Sequence, residues 1–233
     1  MNKKLNLPAC LIMAGGRGLR LGSITKSTPK PLVKINNKPY LEYLLKFLIK
    51  SGFKKFYFSL SYKNNKIQKF LKLFFFKKNL RYKILIDKKR SGTFSACYDH
   101  VSKLDKVFFY TNADEISKLN LKKIYLNFRL SKAKVMCGLL ESKNGKFSID
   151  NKELIIKLSS KKNQKAYIDC GFKFINKEIF KQVKKKYIKI EDFIYGDYLK
   201  KNRVNYFLVK KKPYRIDTAL DIRRTKNELF KNK

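Results

Sequence analysis

The sequence predicts an α/β fold built around a mostly parallel sheet, of the Rossmann-like three-layer type. In the first half of the chain, short apolar runs alternate with amphipathic stretches, a pattern typical of βαβ units. The first of these runs leads directly into a glycine-rich loop at 14–18, and a later run ends just before Asp114. Because ligands of such sheets bind beyond the carboxyl ends of the strands, both features favour a binding crevice at that edge.

The elements of the first half follow from apolar periodicity and from proline and glycine. Leu41, Leu44, Leu45 and Leu48 share one face of a predicted helix that begins at Pro39. The predicted strands are 9–13, 54–61, 81–86 and 107–111, and the predicted helices are 39–50, 64–74 and 94–103.

After about residue 132 the pattern is less regular. The dipeptide Asn144-Gly145 is typical of a hairpin turn between two strands. The predicted strands are 134–140, 154–158 and 167–175, and the predicted helices are 176–186, 191–201 and 221–231. Since no linker or repeat divides the chain, we expect a single domain over residues 1–233.

The composition narrows the classes of function. The net charge is +40, yet 44% of the residues are hydrophobic, enough to form a core. The lysines are spread along the chain and do not form a nucleic-acid-binding pattern with aromatic residues, so we expect no specific nucleic-acid partner. We expect no membrane insertion, because no apolar run approaches the roughly 18 residues that span a bilayer. Four cysteines without a CxxC pair, and one histidine, favour a cytoplasmic protein with reduced thiols and no zinc site.

The loop after the first strand is the strongest functional signal. Gly15, Gly16 and Gly18 let the backbone bend tightly and bring its N–H groups close to an anion. Arg20 follows, and Lys30 stands between two prolines, so both add positive charge beside the loop. Together these residues predict a cradle for the phosphates of a nucleoside triphosphate.

This loop and the Pro-Lys-Pro segment at 29–31 resemble the N-terminal motif of the sugar-1-phosphate nucleotidylyltransferases, and the resemblance covers nearly the whole chain. In that family a phosphate oxygen of a sugar 1-phosphate attacks the α-phosphorus of an NTP, and pyrophosphate leaves. The resemblance implies that Arg20 holds the β- and γ-phosphates and that Lys30 lies by the α-phosphate. It also implies a nucleotide-binding half over about 1–131 and a sugar-phosphate half over about 132–233. The loop residues expected to contact the nucleotide are Ala14, Gly15, Gly16 and Gly18.

Two aspartates are candidates for holding Mg²⁺. Asp114 follows the apolar strand at 107–111, and Asp217 stands in an Arg-Ile-Asp-Thr segment that resembles a late motif of the same family. Carboxylates suit this hard cation, which is held by one or two of them together with substrate phosphates. We therefore expect Asp114 to be catalytic and both aspartates to be metal ligands.

The resemblance also assigns the base-reading loop and the sugar side, with departures. Gly92 and Thr93 match the family's base-reading loop, but Phe94 and Ser95 replace its small residues, so Phe94 is expected to narrow the base pocket or stack on the base. On the sugar side the matching residues, expected to contact the sugar phosphate, are Lys161, Gly171 and Glu191.

The short chain and its compact second half look most like the heptose 1-phosphate guanylyltransferase type. This resemblance implies GTP as the nucleotide and a product used for a surface glycan such as lipopolysaccharide or capsule. Two alternatives stay open: CTP, UTP or dTTP with another phosphorylated acceptor, and a non-catalytic paralogue that binds nucleotide sugars. A third, a basic nucleic-acid-binding protein, is the one that the composition disfavours. The oligomeric state also stays open, a homo-oligomer included.

Overall fold

The computed structural model describes residues 5–61, 64–87, 92–150, 155–157 and 165–229. Its centre is a nine-stranded mixed sheet, which two short two-stranded ribbons accompany. The strands are β1 (Ala9–Met13), β2 (Lys34–Ile35), β3 (Lys38–Pro39), β4 (Lys55–Leu60), β5 (Arg81–Ile86), β6 (Val107–Asn112), β7 (Glu115–Ile116), β8 (Val135–Glu141), β9 (Phe147–Ile149), β10 (Ile155–Lys157), β11 (Tyr167–Asn176), β12 (Val204–Leu208) and β13 (Tyr214–Arg215). The helices are α1 (Ile24–Ser27), α2 (Tyr40–Ser51), α3 (Asn64–Phe75), α4 (Gly92–Tyr98), α5 (Leu121–Leu130), α6 (Ile190–Asp192) and α7 (Ala219–Leu229).

The sheet combines a parallel core with an antiparallel flank. Its main path runs β10-β9-β11-β6-β1-β4-β5, and β8 joins β11 to β12. Strands β6, β1, β4 and β5 are parallel neighbours, whereas β11 runs antiparallel to both β6 and β8. The carboxyl ends of four strands therefore lie along one edge, as the βαβ pattern predicts.

Both faces of the parallel core are covered, which explains its uninterrupted apolar strands. In β1, Cys10 and Ile12 belong to the core that includes residues of α2, α3 and α5, while Ala9 and Leu11 belong to the core that includes residues of α4 and α6. Helix, sheet and helix thus form the three predicted layers.

The predictions for the first half agree closely with the structure. Its four predicted strands are confirmed to within one residue at either end. Helix α2 begins one residue later than expected, because Pro39 has the extended backbone of the position before the helix. Helix α4 ends at Tyr98, and a separate 3₁₀ turn, Val101–Lys103, follows it.

The second half contains the errors. Asn144-Gly145 does not connect paired neighbours, because Tyr167 of β11 pairs with both Glu141 of β8 and Phe147 of β9. The hairpin prediction is therefore wrong: the turn carries the chain around the start of β11. The predicted helix at 191–201 is a short α-helical turn followed by the π-helical turn Phe193–Tyr198.

Several elements were not predicted, and the longest of them are helix α5 and strand β12. Helix α5 begins after Asn120, whose side chain accepts a hydrogen bond from the Lys123 N–H at 3.1 Å. Strand β12 pairs with β8 in parallel and extends the antiparallel flank.

All four cysteines are buried with free thiols. Within the described ranges, no helix combines the length and the apolar character needed to cross a bilayer.

Candidate active site

The predicted residues converge on a cleft at the carboxyl ends of the parallel strands. The cleft has a volume of about 1040 Å³, enough for a nucleotide and a second ligand. It is lined by most of the residues that the sequence singled out, namely Ala14, Gly15, Gly16, Arg20, Lys30, Gly92, Thr93, Asp114, Gly171, Glu191 and Asp217.

The glycine-rich loop is tied to the neighbouring strand β4. The Ala14 N–H donates to the Ser59 carbonyl at 2.9 Å, and the Ser61 hydroxyl donates to the Gly15 carbonyl at 2.7 Å. Gly18 does not line the cleft: a Cβ added there would lie 2.9 Å from the Cβ of Lys30. Its close packing against Lys30 helps to set the position of that side chain, and its predicted contact with the nucleotide stays a prediction.

Lys30 joins the two predicted metal ligands. Its Nζ donates hydrogen bonds to carboxylate oxygens of Asp114 and Asp217, and only about a tenth of its side chain is exposed. The aspartates are separated by about a hundred residues in sequence, yet their carboxylates meet at one nitrogen atom. Sequence reasoning named all three residues and the structure brings them together.

The ribbon formed by β7 and β13 explains this convergence. Glu115 and Arg215 face each other in register, and Arg215 Nε donates to Glu115 Oε2 at 2.8 Å. The Ile216 N–H reaches the Asp114 carbonyl at 3.3 Å. The contact between Glu115 and Arg215 acts as a clamp between the two strands. Asp114 directly precedes Glu115, and Asp217 follows Arg215 by two residues, so pairing of the two strands sets the separation of the two carboxylates.

The clamp itself is buried and electrostatically balanced. Burial raises the pKa of Glu115 to about 7, with a further increase from Asp114, while Arg215 and the Asn112 amide oppose the rise. The Asn112 Nδ2 donates to Glu115 Oε1 at 2.7 Å, so both carboxylate oxygens have partners. Glu115 was missed by the sequence analysis, although it directly follows Asp114.

Arg20 also lines the cleft. Its guanidinium donates to Asp217 Oδ1 at 2.9 Å, and its side chain is 71% exposed. Burial alone would raise the pKa of Asp217, but Lys30, Arg20 and Arg215 together lower it. The carboxylate of Asp217 is therefore ionised at neutral pH, and an arginine with this exposure is free to turn toward an incoming anion.

The loop at Gly92 and Thr93, which the sequence predicts to read the base, is held by its contacts with the segment at 188–190. Gly92 has φ +88°, and a Cβ there would fall on the carbonyl oxygen of Ile188, so this position needs glycine. The hydroxyl oxygen of Thr93 accepts a hydrogen bond from the Ile190 N–H at 3.1 Å. The loop of one half is thus fastened to the other half of the chain.

Phe94 does not occupy the base pocket. It is 1% exposed, and its ring packs against Tyr187, Tyr98 and Phe193 with centroid distances of 5.0 to 5.5 Å. Phe94 is the third residue of helix α4, and its side chain belongs to the aromatic core rather than to the cleft. The expectation that Phe94 narrows the pocket or stacks on the base is therefore wrong.

Asp87 is a cleft residue that sequence reasoning did not single out. It follows β5, at the same edge where Asp114 follows β6. Its Oδ2 accepts from the Ser59 hydroxyl at 2.9 Å, and its Oδ1 lies 3.3 Å from Nε2 of the buried His100. Burial raises the pKa of Asp87, against the opposing effects of Ser59 and His100. Its position directly after a strand was the signal that could have identified it.

The part of the cleft that the sequence assigns to the sugar phosphate holds a second cluster of charges. Asp169, Gly171, Glu191 and Tyr195 line the cleft there, and the Tyr195 hydroxyl donates to Asp169. Of these, the sequence named Gly171 and Glu191, while Lys161 lies outside the described residues. Gly171 has φ +76°, and a Cβ there would collide with Glu115, which explains the glycine at the bulge of β11.

Comparison with known proteins identifies relatives of the whole chain. The model of the nucleotidyl transferase family matches residues 9–214. A D-glycero-alpha-D-manno-heptose 1-phosphate guanylyltransferase of Campylobacter jejuni is 29% identical over 197 residues, covering 82% of this chain and 85% of that protein. One of the same name from Aneurinibacillus thermoaerophilus is 25% identical, covering 94% of this chain and 97% of that protein.

Solved structures agree with the fold. HddC from Yersinia pseudotuberculosis has a TM-score of 0.78 and 24% identity, covering 96% of this chain and 100% of that one, and its complex with GMP-PN has a TM-score of 0.76. An inositol-1-phosphate CTP transferase from T. maritima has a TM-score of 0.76 and 16% identity, covering 97% of this chain and 98% of that one. The predicted three-layer fold is confirmed, and the match over residues 9–214 shows that this chain belongs to the nucleotidyl transferase family.

Proposed function

We propose that this protein transfers the guanylyl group of GTP to D-glycero-α-D-manno-heptose 1-phosphate and releases pyrophosphate. The observation that carries the proposal is the meeting of the glycine-rich loop, Lys30, Asp114 and Asp217 in one cleft of about 1040 Å³. The two curated relatives named for this reaction support the choice of acceptor. The product is a nucleotide-activated heptose of the kind that surface-glycan assembly consumes.

The reaction needs charge neutralisation more than a general base. The attacking phosphate oxygen of the acceptor is already an anion, so no proton has to be removed before it attacks the α-phosphorus. Lys30 neutralises charge at the α-phosphate, and Arg20 stabilises the leaving pyrophosphate. The glycine-rich loop brings backbone N–H groups to the remaining phosphate oxygens.

The two aspartates fit Mg²⁺. Both carboxylates accept a hydrogen bond from the same atom, Lys30 Nζ, so they converge on one point. Carboxylate oxygen is the ligand type that this ion prefers. When bound, the ion polarises the phosphoryl oxygens and neutralises charge on the nucleotide. Asp114 and Asp217 would hold it, and the Glu115–Arg215 clamp keeps them close enough to share one ion.

The preference for guanine is supported by Asp87. A carboxylate accepts hydrogen bonds and donates none, and guanine carries adjacent N1–H and N2–H₂ donors on one edge. Uracil and thymine offer a single ring N–H flanked by two carbonyl groups, which an aspartate would repel. Asp87 lines the same cleft as Gly92 and Thr93, and its Oδ2, held by the Ser59 hydroxyl, is the oxygen proposed to accept from the base.

The decisive experiment is pyrophosphate release with Mg²⁺, using GTP, CTP, UTP, dTTP and ATP, each with the heptose 1-phosphate and with the 1-phosphates of mannose and glucose. We expect release with GTP and the heptose 1-phosphate. Release with another pair would keep the reaction class and replace the substrates. A folded protein that binds GTP but releases no pyrophosphate with any pair would contradict the proposal and favour a non-catalytic paralogue.

The choice of base has its own test. Asp87→Asn exchanges one acceptor for a donor, and we expect kcat/KM for GTP to fall by about tenfold to a hundredfold. Asp105→Asn is the matched control, because Asp105 pairs with Lys55 away from the cleft. An unchanged preference for GTP in a folded Asp87→Asn protein would remove Asp87 from base recognition.

A further inference from the structure

A fully buried lysine stands behind the acceptor side of the cleft. Lys173 lies near the middle of β11, in register with Tyr110 of β6 and Cys137 of β8, and its side chain is 0% exposed. Its Nζ is 5.2 Å from the centroid of the Tyr110 ring. Lysines are rarely buried to this degree, because removing an ammonium group from water is costly without a partner.

The partners of Lys173 come from two different elements. Its Nζ donates to Asp169 Oδ1 at 2.8 Å and to Glu191 Oε1 at 2.8 Å. Asp169 belongs to β11, and Glu191 belongs to α6. One nitrogen atom therefore sets the distance between the two carboxylates.

Both carboxylates face the cleft, while the lysine does not. Asp169 and Glu191 line it, and the side chains are 10% and 29% exposed, respectively. Asp169 is further held by the Gly171 N–H at 2.6 Å and by the Tyr195 hydroxyl. Lys173 thus takes one oxygen of each carboxylate, and Glu191 is the more exposed of the two at the cleft.

Fold stability does not explain the arrangement well. Replacing a buried ion pair by apolar residues of similar volume is often neutral or stabilising, so such a pair is weak evidence of a stabilising role. Lys173 does affect the ionisation of its neighbours: although burial opposes the shift, Lys173 lowers the pKa of Glu191. The pKa of Lys173 is itself raised, since Asp169 and Glu191 outweigh the effect of its burial.

We propose that Lys173 is a positioning residue for the acceptor: it holds Asp169 and Glu191 as a fixed pair of hydrogen-bond acceptors for two neighbouring hydroxyl groups of the sugar ring. This inference rests on the proposed function, since it assigns the pair to the acceptor sugar. Hydrogen bonds to ionised acceptors are about twice as strong as neutral ones, and two acceptors at a fixed separation select a pair of hydroxyls rather than one. Lys173 acts from behind and touches neither substrate.

The first test is Lys173→Met, measured by pyrophosphate release with GTP and the heptose 1-phosphate. We expect the KM for the acceptor to rise by about tenfold to a hundredfold, because charge-assisted hydrogen bonds are lost, with kcat and the KM for GTP changed less than about threefold. Lys55→Met is the matched control: it breaks the ion pair with Asp105, at 2.6 Å, and should change neither KM. An acceptor KM within threefold of wild type in folded Lys173→Met would overturn the inference.

A double variant separates positioning from folding. Lys173→Met alone leaves two carboxylates without their counter-ion and lowers the stability of the fold. Asp169→Asn combined with Lys173→Met removes one charge of each sign, so we expect its melting temperature to recover while the acceptor KM stays raised. Recovery of both quantities together would show a structural role only and would overturn the inference.

A readout independent of turnover covers failure of the proposed function. The ¹³C carboxyl signal of Glu191 can be titrated in wild type and in Lys173→Met, and we expect its pKa to be higher in the variant. The titratable groups that face Lys173 are Asp169, Glu191, Tyr110 and Cys137, with Glu115 and Cys97 farther away. If wild type releases no pyrophosphate, the proposed function fails, and an unchanged Glu191 titration would then overturn the role of Lys173 separately.

Discussion

Two lysines in this molecule each bridge a pair of carboxylates, and their surroundings differ. Lys30 joins Asp114 to Asp217 at the nucleotide side of the cleft, and Lys173 joins Asp169 to Glu191 at the acceptor side. Lys30 lines the cleft and sits in a short 3₁₀ turn between loops, whereas Lys173 lies within a central strand and has no exposed surface.

The difference in exposure decides which ion pairs an incoming ligand can replace. Lys30 and its aspartates face the cleft, so a phosphate or a cation can replace the existing ion pairs during a reaction cycle. Lys173 is enclosed on all sides, so its ion pairs persist and can only hold other groups in position. The same three charges thus form an accessible cluster at Lys30 and an enclosed one at Lys173.

Removing an aspartate that pairs with Lys30 should give the largest effect. We expect Asp114→Ala to lower turnover by about a thousandfold, roughly 4 kcal/mol in activation free energy, because a ligand for the proposed ion is lost. The melting temperature should change by a few degrees at most, since Asp217 still pairs with Lys30. Pyrophosphate release and thermal unfolding measure the two quantities.

Asp217→Ala should behave in the same way, and Asp105→Asn provides the control outside the cleft. Near-wild-type turnover in either alanine variant would remove that residue from the metal site.

Arg20 should follow with a smaller effect. We expect Arg20→Ala to lower kcat by about a hundredfold, because one charged donor to the leaving pyrophosphate is missing. Its side chain is 71% exposed, so the stability of the fold should not change. Steady-state kinetics with each substrate varied provide the measurement. An increase in the acceptor KM with kcat unchanged would speak against a role at the leaving group.

Near Gly171, an added methyl group should lower the free energy of unfolding more than the loss of an exposed charge does elsewhere in the cleft. Gly171→Ala places a methyl group against Glu115 at φ +76°, and we expect a loss of about 2 to 4 kcal/mol in the free energy of unfolding. Gly16→Ala is the matched control, because a Cβ there has no heavy atom within 4 Å among the described residues. Urea unfolding compares the two variants, and equal stability would contradict the tight packing described for β11.

A further effect concerns the pH dependence of stability. The pKa of Glu115 is raised by burial from 4.5 to about 7, so between these values the folded protein binds a proton that the unfolded chain has released. Stability from this group is therefore greatest below pH 4.5 and decreases as the pH rises to 7. Glu115→Gln should remove this slope, which amounts to at most about 3 kcal/mol.

Urea unfolding at several pH values between 4.5 and 7.5 measures the slope. Glu178→Gln is the control, because pairing with Lys134 lowers the pKa of Glu178 and moves its titration below this window. An identical slope in wild type and Glu115→Gln would show that Glu115 titrates normally.

The nucleotide side could be predicted because its signals are local. Glycines, Arg20 and Lys30 stand within a few residues of one strand, and Asp114 directly follows another, so strand periodicity alone brings them to one edge. Asp217 was assigned from a short motif, and the structure places it beside Asp114 through pairing of β7 with β13.

The acceptor side could not be predicted in the same way because its contacts are distant in sequence. Nothing near Lys173 distinguishes it from the many other lysines, and its two partners become visible only when β11 and α6 pack together. Phe94 was misassigned for a related reason: its direction depends on the aromatic side chains of Tyr187 and Phe193, about a hundred residues later.

The β7–β13 ribbon also decides when during synthesis the protein can work. The Glu115–Arg215 contact closes a loop of 100 residues. A chain that leaves the ribosome from its N-terminus can assemble the parallel strands early, since domains form as their segments emerge. Its pair of aspartates is incomplete until residue 217 has been translated, so a nascent or prematurely terminated chain lacks half of the proposed metal site.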